Sequence, residues 1–353
     1  MKQIPVLLLG AGGVGQAVLR QIINGRLSTK TRNQLNFNIV GVADSQNWQW
    51  DAMGLSDAQL LAIVEAKGQG RAFGKRRPSA LVMINHAHEA GLEKVIVVDV
   101  TAVNGLEPAL DRALELGYSV ALANKNALAA DWATAQRYFN HPRVRYESTV
   151  GGGQPIIATL RYLLDTNDPI QRVEGQLSGS IGFICQQLDR GVPFSQAVAE
   201  AKANGFIEPD PRQDLSGKDV MRKLLILGRM AGWPLQAADI TIEALYREEM
   251  EALTVDEFLT AVSTLDESIG RRFVAARLRG NVLRYMAEVT AEGGTVSLQE
   301  VPINAPLANM KQVSFYTERY SDAPLFIGGK GASVEITAAG VVGDMIGLVR
   351  EGE

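Results

Sequence analysis

The sequence predicts an α/β protein with two domains, an N-terminal doubly wound parallel sheet and a separate α+β domain. Its 353 residues, 46% of them hydrophobic, are too many for one ordinary core and suit two. Over the first 150 residues, short apolar runs alternate with helical segments, as a parallel sheet covered on both faces requires. After three glycines at 151–153, longer helical stretches mix with strand-like runs, which indicates a second domain.

Charge and cysteine content exclude several classes of protein. Lys and Arg number 35 against 39 Asp and Glu, and the basic residues are scattered, so neither nucleic acid nor an anionic membrane is expected as a partner. The apolar runs fall far short of the roughly 18 residues of a membrane span, and no signal peptide precedes the first strand pattern. The one cysteine, Cys185, excludes an internal disulfide, which fits a reducing compartment, so we expect the cytoplasm.

Apolar periodicity places the elements of the first domain. Residues 4–9 form a continuous apolar run that ends at Gly10, and residues 14–23 have helical spacing, so this segment predicts a strand, a tight turn and a helix. The runs at 39–43, 95–100 and 120–123 predict the further parallel strands.

The remaining elements follow from the same patterns. Helices are predicted near 194–204, 217–231, 254–263 and 333–349, and strands at 173–177, 282–289, 295–301 and 324–327. We expect the terminal helix to pack back on the first domain. The predicted domains are therefore residues 1–150, residues 151–320 and a returning segment, residues 321–353.

Residues 10–15 read GAGGVG, which matches G-x-G-x-x-G directly between a predicted strand and a predicted helix. Gly10 permits the tight turn, Gly12 lets a pyrophosphate approach backbone N–H groups, and Gly15 lets the helix pack closely. The helix N-terminus then faces phosphate charge. This context predicts a Rossmann-type dinucleotide site formed by Gly10, Gly12, Gly13, Val14 and Gly15, rather than a plain glycine-rich turn.

The end of the second predicted strand bears on the choice of cofactor. Asp44 follows this strand, where a carboxylate can accept hydrogen bonds from the adenosine ribose, which favours NAD. Its distance from the glycines exceeds the usual ~20 residues, and we interpret the polar segment 26–38 as a longer connection. A solvated or helix-capping aspartate is the alternative, and Ser45 leaves room for a 2′-phosphate, so NADP stays open.

The stretch 206–224 reads FIEPDPRQDLSGKDVMRKL and carries the clearest chemistry. Two prolines predict an irregular acidic loop, after which Asp219 and Lys223 lie one turn apart on one helix face. That pair could be a surface ion pair worth about a few tenths of a kcal/mol. With Glu208 and Asp214 upstream, it could instead form an acidic pocket around a lysine. Carboxylates there would bind an ammonium group, and the lysine would move a hydroxyl proton during hydride transfer.

Three further candidates lie at the ends of predicted strands. Lys125 and Thr101 occupy the carboxyl end of the first sheet, where open α/β sheets bind ligands. The alternatives are an exposed lysine and a helix-capping threonine. Glu147 precedes a bend rich in free carbonyls, which suits a hard cation, although taken alone the segment is better explained as a domain hinge with a hydrogen-bonded glutamate.

Together these motifs resemble the homoserine dehydrogenase family. The run from Glu208 to Lys223 resembles the family signature closely, and the other landmarks agree in order: residues 10–15, Thr101, Asn124-Lys125, residues 147–155, Ser178-Gly179-Ser180 and residues 324–340. The resemblance covers essentially the whole chain. It implies interconversion of L-homoserine and L-aspartate 4-semialdehyde with NAD or NADP, in the biosynthesis of threonine, methionine and isoleucine.

The resemblance also implies roles for individual residues. Lys223 would be the proton donor and acceptor, with Lys125 assisting at the reacting oxygen. Glu208 and Asp219 would hold the amino end of the substrate, and Asp214 would support them. The loop at Gly179 and Ser180 would contact the substrate. Thr101, Lys125, Gly331 and Ser333 would join the glycine loop and Asp44 around the cofactor.

The resemblance further implies a structural monovalent cation, usually sodium, and a homodimer formed through the second domain. Glu147 and the backbone carbonyls of Val150, Gly152 and Gln154 would bind the cation. We expect no aspartate kinase region and no regulatory ACT domain, and therefore no threonine feedback through such a domain. Several positions are atypical for the family: Asn126, Ser180, Gly182, Lys330 and Ser333.

Three other functions were weighed. An aldehyde dehydrogenase with an acyl intermediate requires a nucleophilic cysteine, whereas Cys185 lies in a predicted helix and fits a small buried hydrophobe. A homoserine kinase is disfavoured because G-x-x-x-x-G-K-[ST] is absent from the sequence. A non-catalytic dinucleotide sensor is disfavoured because both Lys125 and Lys223 are present.

Overall fold

The strands form two sheets, one in each of two units of the chain. The computed structural model describes residues 2–329 and 333–352. One unit comprises residues 1–158 and 332–353, and the other comprises residues 159–331. This architecture, a parallel sheet in an α/β unit and a second unit with its own sheet, confirms the predicted fold class.

The described strands have the following bounds: β1 Lys2–Leu9, β2 Leu35–Ala43, β3 Asn47–Trp50, β4 Lys75–Arg76, β5 Ile96–Asp99, β6 Ser119–Leu122, β7 Val144–Arg145, β8 Ile170–Gly175, β9 Ile240–Ile242, β10 Asn281–Thr290, β11 Gly293–Pro302, β12 Gln312–Thr317 and β13 Leu325–Gly328.

The described α-helices have the following bounds: α1 Gly13–Asn33, α2 Asp57–Gly68, α3 Ala80–Glu89, α4 Glu107–Glu115, α5 Asn126–Ala129, α6 Trp132–Ala135, α7 Ile156–Asp165, α8 Gly179–Asp189, α9 Phe194–Ala203, α10 Arg212–Leu215, α11 Lys218–Met230, α12 Val255–Ala261, α13 Asp266–Leu278, α14 Pro306–Asn309 and α15 Val334–Glu351. Short 3₁₀ turns lie at Glu147–Thr149, Gly151–Gly153, Ala237–Asp239, Glu248–Ala252 and Val262–Leu265.

The first sheet has the order β4-β3-β2-β1-β5-β6-β7. Strands β2, β1, β5, β6 and β7 pair in parallel, whereas β3 and β4 add antiparallel edges. The chain winds outward in both directions from the β1–β5 pair. In such sheets, ligands bind at the carboxyl ends of the strands on either side of this switch point. That edge carries Gly10, after β1, and Thr101, after β5.

The segment 26–38 is not the loop connection that the sequence analysis expected. Helix α1 continues to Asn33, and β2 begins at Leu35 after Gln34, which closes the helix with φ 57°. The Arg26 guanidinium stabilises the polar end of this helix by binding Asp57 and the carbonyl of Phe37. The large gap between the glycines and Asp44 is therefore filled by helix.

The C-terminal helix α15 belongs to the same unit as α1. Gln21 Nε2 donates to the carbonyl oxygen of Glu335 at 2.8 Å, and the buried side chains of Val341, Met345 and Leu348 join the core of the first sheet. Strand β13 instead pairs with β12 in the second sheet. The predicted segment 321–353 is thus divided between the two units.

The second sheet has the order β13-β12-β8-β10-β11-β9. Its pairs are antiparallel except β11 with β9. Helices α8, α11 and α13 pack on β10. Among the helices of residues 2–329 and 333–352, none has both the length and the apolarity needed to cross a bilayer.

Candidate active site

The glycine loop between β1 and α1 has the geometry that close backbone approach requires. Gly10 adopts φ +111°, and its N–H donates to the carbonyl of Ala43 at 2.8 Å. A Cβ on Gly15 would lie 1.9 Å from the carbonyl oxygen of Gly10, so this glycine lets the helix contact the turn itself. A Cβ on Gly12, the helix N-cap, would meet no heavy atom of the described residues within 4 Å. The loop leaves open space beside the helix N-terminus, which suits a pyrophosphate.

Helix α15 lies beside this loop. A Cβ on Gly13 would be 3.4 Å from Cγ2 of Val334, the first residue of α15. Ser333 caps that helix, since its Oγ accepts the N–H of Ile336 at 3.2 Å. Gly331, predicted to contact the cofactor, and the atypical Lys330 lie outside the described residues.

Asp44 is held in a turn between β2 and β3. Its Oδ1 accepts the N–H groups of Gln46 and Asn47 at 2.8 and 2.6 Å, and its Oδ2 accepts Lys67 Nζ at 2.7 Å. Burial raises the pKa of Asp44, but the hydrogen bonds from Lys67 and the two amides outweigh it and hold the pKa below its usual value. Both lone pairs of Oδ1 are therefore engaged, whereas Oδ2 keeps one for a further donor such as a ribose hydroxyl.

A cleft of about 860 Å³ opens beyond Asp44. Its lining includes Ser45, Arg76, Arg77, Ser79 and Asn104. Ser79 is the N-cap of α3, and the following residues of that helix also line the cleft. Arg77 is anchored by its Nη1, which donates to the carbonyl oxygen of Asp44 at 2.9 Å. Two guanidinium groups and a helix N-terminus give the cleft the chemistry of an anion site.

Asp99, at the carboxyl end of β5, was not singled out from the sequence. Its side chain is 1% exposed and accepts the N–H of Thr101 at 2.9 Å and Nδ2 of Asn124 at 3.0 Å. Burial raises the pKa of Asp99 to about 6, although these hydrogen bonds act in the opposite direction. The sequence feature that could have identified Asp99 is a polar residue at the end of an apolar strand. The network fixes the loop that carries Thr101 and the residue before Lys125.

Lys125 lies directly before α5, at the carboxyl end of β6. The turn is fixed by Asn124 Oδ1, which accepts the N–H of Asn126 at 3.0 Å. The atypical Asn126 has a local role, because its Nδ2 donates to the carbonyl oxygen of Val103 at 3.0 Å. Thr101 and Lys125 therefore lie on two loops that share hydrogen bonds.

Glu147 caps the N-terminus of α7. Its two carboxylate oxygens accept the N–H groups of Ile157 and Ala158, each at 2.8 Å, and the side chain is 8% exposed. The carbonyl of Gln154, one of the predicted cation ligands, accepts the N–H of Ile156 at 2.7 Å. Gly152 adopts φ 66°, which turns the chain within this segment.

The same segment packs tightly against α15. A Cβ on Gly153 would lie 2.1 Å from the carbonyl oxygen of Ile336, and Ser148 Oγ donates to the carbonyl of Thr337 at 2.7 Å. Gly153, within the predicted cation loop, therefore has a packing reason of its own. A carboxylate oxygen has lone pairs beyond one hydrogen bond, so the donor set still suits a hard cation.

In the second unit, Lys223 lies where the sequence placed it, one turn after Asp219 on α11. Its Nζ donates to Asp219 Oδ2 at 2.7 Å and to the carbonyl oxygen of Leu177 at 2.8 Å. The Lys223 side chain is 15% exposed and that of Asp219 is 42% exposed. The pair is more than a surface ion pair, because the ammonium is fixed at the loop between β8 and α8.

Asp214 joins this loop to the acidic stretch. Its Oδ1 accepts Ser180 Oγ at 2.8 Å, and its Oδ2 accepts the N–H of Glu208 at 2.9 Å. Ser180 Oγ is also 3.0 Å from Ser178 Oγ, and Ser178 caps α8. Asp214 thus positions the backbone of Glu208 beside the N-terminus of α8, while the Glu208 side chain stays exposed.

Other residues of the stretch 206–224 shape the backbone of this region. Residues 212–215 form the short helix α10, so the irregular loop predicted for this region ends at Pro211. Arg212 binds Asp210 at 2.8 Å and donates to the carbonyl of Leu253 at 2.7 Å. Gly217 starts α11 with φ +72°, and a Cβ there would lie 2.2 Å from the hydroxyl of Tyr285.

Comparisons with known proteins agree with this geometry. The family model described as "Homoserine dehydrogenase" matches residues 155–346, and the model "Homoserine dehydrogenase, NAD binding domain" matches residues 10–144. The chain belongs to the homoserine dehydrogenase family.

The similar homoserine dehydrogenases include longer proteins. A bifunctional aspartokinase/homoserine dehydrogenase of Haemophilus influenzae is 32% identical over 98% of this chain and 43% of its own length. The corresponding Escherichia coli protein is 33% identical with the same coverage. The chain thus spans less than half the length of these curated relatives.

Solved structures extend the comparison to the fold. A protein of unknown function from Candida auris is 30% identical, with a TM-score of 0.86 over 99% of both chains. A putative homoserine dehydrogenase from Archaeoglobus fulgidus is 24% identical and has a TM-score of 0.79, covering 97% of this chain and 98% of its own. The second likeness shows the fold alone.

One lysine near Lys223 was not singled out from the sequence. Lys311 directly precedes β12, and its Nζ lies 2.8 Å from the position that a Cβ on Gly179 would occupy. Burial and then the charge of Lys223 lower the pKa of Lys311 below its usual value. No motif surrounds Lys311, so only the pairing of β12 with β8 reveals its position.

Cys185 is unsuited to acyl-enzyme chemistry. The side chain lies inside α8 and is 1% exposed. Burial raises the pKa of its thiol to about 12, so the thiolate form that a nucleophile requires is disfavoured. This agrees with the sequence-based interpretation of a small buried hydrophobe.

Proposed function

We propose that this chain catalyses the interconversion of L-homoserine and L-aspartate 4-semialdehyde with a nicotinamide dinucleotide. The observation that carries the proposal is Lys223, whose Nζ is fixed by Asp219 and the carbonyl of Leu177 within the family's signature stretch. The exposed Glu208 and the half-exposed Asp219 supply negative charge beside it. An amino acid with a reacting hydroxyl complements these three groups, because its ammonium group suits the two carboxylates and its hydroxyl suits the lysine.

The chain's own residues would supply proton transfer and orientation. Gly10, Gly12 and Gly15 would hold the nicotinamide dinucleotide, which would supply the hydride acceptor for the carbinol carbon of homoserine. Lys223 as the amine takes the hydroxyl proton, and as the ammonium it returns that proton to the aldehyde oxygen in the reverse direction. Glu208 and Asp219 hold the substrate ammonium, with Asp214, Gly179 and Ser180 shaping the loop around them. Lys125 would assist at the reacting oxygen, as the resemblance to the family implies.

The glycine loop suits the pyrophosphate of the cofactor, and we propose NADP as the preferred form. The sequence favoured NAD because of Asp44, but Lys67 and two backbone amides already bind three of the lone pairs of that carboxylate and offset its negative charge. The adjacent cleft offers Arg76 and the side chain of Ser45 to a 2′-phosphate. Among the described residues, the exposed Arg76 guanidinium has no hydrogen-bond or ion-pair partner, so it is available to an anion.

A monovalent cation, a homodimer and a cytoplasmic location complete the proposal. Sodium is a hard cation that prefers oxygen ligands, and such ligands would come from Glu147 and the carbonyls of Val150, Gly152 and Gln154. The cation would stabilise the loop between β7 and α7 and take no part in proton transfer. Residues 151–320 would form the catalytic and dimerisation domain, and light scattering in solution would test the dimer.

The proposal is tested by following reduced nicotinamide while purified protein meets L-homoserine with NADP or NAD, with sodium present. We expect turnover with both and a higher kcat/KM with NADP. Arg76→Ala should lower kcat/KM for NADP by about tenfold, the loss of one charge-assisted contact, and leave NAD unchanged. No turnover with either cofactor would refute the activity, and an equal effect on both cofactors would refute the role of Arg76.

A further inference from the structure

Lys311 places a second ammonium group at the Lys223 site. The residue is fixed by its backbone, because its carbonyl accepts the N–H of Gly329 at 3.1 Å and β12 begins at the next residue. Pairing of β12 with β8, with Val313 opposite Gly175, brings this strand end beside the loop that carries Leu177.

Two glycines of α8 provide the space for the Lys311 side chain. Its Cε lies 3.4 Å from the position of a Cβ on Gly182, and its Nζ lies 2.8 Å from that of a Cβ on Gly179. The side chain therefore runs across the first turn of α8, and a larger residue at 179 would displace the ammonium. The two glycines therefore leave space for the charged end of the Lys311 side chain.

No carboxylate of the described residues pairs with that ammonium group. Over residues 2–329 and 333–352, Lys311 Nζ has no hydrogen-bond or ion-pair partner, whereas Lys223 Nζ has both Asp219 and a carbonyl. The neighbouring charge that acts on Lys311 is that of Lys223, which repels it. The backbone N–H groups of the first turn of α8 add positive potential. A partly buried ammonium in such surroundings is stabilised by an anion from outside the chain.

We propose that Lys311 binds the carboxylate of the amino-acid substrate and so selects substrates that carry one. This inference rests on the proposed function, in which homoserine and aspartate 4-semialdehyde each carry a carboxylate and an ammonium group. Lys311 binds the first group, while Glu208 and Asp219 bind the second. The role is recognition, and proton transfer stays with Lys223.

The test compares wild type with Lys311→Met, and with Lys202→Met on the surface helix α9 as the matched control. L-Homoserine oxidation is inhibited with two analogues, 4-hydroxybutyrate, which lacks the ammonium group, and 3-aminopropan-1-ol, which lacks the carboxylate. We expect Lys311→Met to raise KM for homoserine and Ki for 4-hydroxybutyrate by roughly 10- to 100-fold, the loss of one charge-assisted hydrogen bond. The Ki of 3-aminopropan-1-ol and the melting temperature should not change.

Equal effects on the two analogues, or a fall in kcat with KM unchanged, would overturn the proposal. Failure of the proposed function is recognised separately, because wild type would then not oxidise homoserine. In that case, calorimetric titration with 4-hydroxybutyrate replaces kinetics. Binding by wild type but not by Lys311→Met would support an anion site, and equal behaviour of the two proteins would overturn it.

Discussion

The two units differ in the groups that bind their charged side chains. In the unit of the glycine loop, backbone groups engage the carboxylates at the strand ends: Asp44 caps a turn, Asp99 fixes Thr101, and Glu147 caps α7. In the other unit, Lys223 and Lys311 bring positive charge together, and Lys311 has no partner among the described residues. The first unit therefore binds its strand-end carboxylates with backbone groups and leaves the side chains of Arg76 and Arg77 lining a cleft, whereas the second brings the ammonium groups of Lys223 and Lys311 to the start of α8.

The largest expected effect is a loss of stability in the first unit, when a close main-chain contact of the glycine loop is disrupted. Gly15→Ala places a methyl group 1.9 Å from the carbonyl oxygen of Gly10, which a backbone atom cannot easily avoid. We expect a loss of about 3 kcal/mol or more in the free energy of unfolding, measured by urea denaturation.

Gly12→Ala is the matched control, since its methyl group would meet no described heavy atom within 4 Å. We expect it to change stability by less than ~1 kcal/mol but to weaken cofactor binding, because the methyl group occupies the space for the pyrophosphate. Equal losses of stability in the two variants would show that the close contact at Gly15 is unimportant.

The second prediction concerns pH. The pKa of Asp99 in the folded protein, about 6, exceeds the ordinary value of 3.8. The folded state therefore holds this proton more tightly, and the stability it contributes is complete below about pH 4 and is lost as the pH rises through about 6. The difference corresponds to roughly 3 kcal/mol. Asp99→Asn should remove this fall in stability, measured by urea denaturation between about pH 4 and 7.

Asp44 provides the opposite case for the same experiment. Its pKa is lowered in the folded protein, so its contribution is present above the ordinary value and is lost as the pH falls below it. Asp44→Asn should therefore flatten the acid side of the stability profile. A wild-type profile that neither substitution alters would contradict both assignments.

The third and smallest expected effect concerns Glu147, and it distinguishes the role of this residue as a helix cap from its proposed role in cation binding. Glu147→Gln leaves one of the N–H groups of Ile157 and Ala158 without its acceptor, and we expect a loss of ~2 kcal/mol. Exposed Glu335→Gln in α15 is the control. If a cation binds here, sodium chloride should raise the melting temperature of wild type more than that of Glu147→Gln. An equal response to sodium would contradict the cation site.

The sequence predicted local features better than distant pairings. The turn at Gly10, the start of α1 and the pairing of Asp219 with Lys223 follow from residues close together in the chain. Lys67, which engages Asp44, is 23 positions away. Lys311 reaches Gly179 only through the pairing of β12 with β8. Periodicity does not specify such contacts, because they depend on strand order and helix packing.

We propose that the second unit supplies the proton-transfer lysine, Lys223, and that the first unit binds the cofactor. The direct measurement is kcat for L-homoserine and Kd for NADP(H), in wild type, Lys223→Met and the control Lys218→Met, whose lysine is exposed on the same helix. The account predicts that Lys223→Met lowers kcat by roughly 10²- to 10⁴-fold and leaves Kd unchanged, while Lys218→Met resembles wild type. A Lys223→Met protein with nearly wild-type kcat would contradict it.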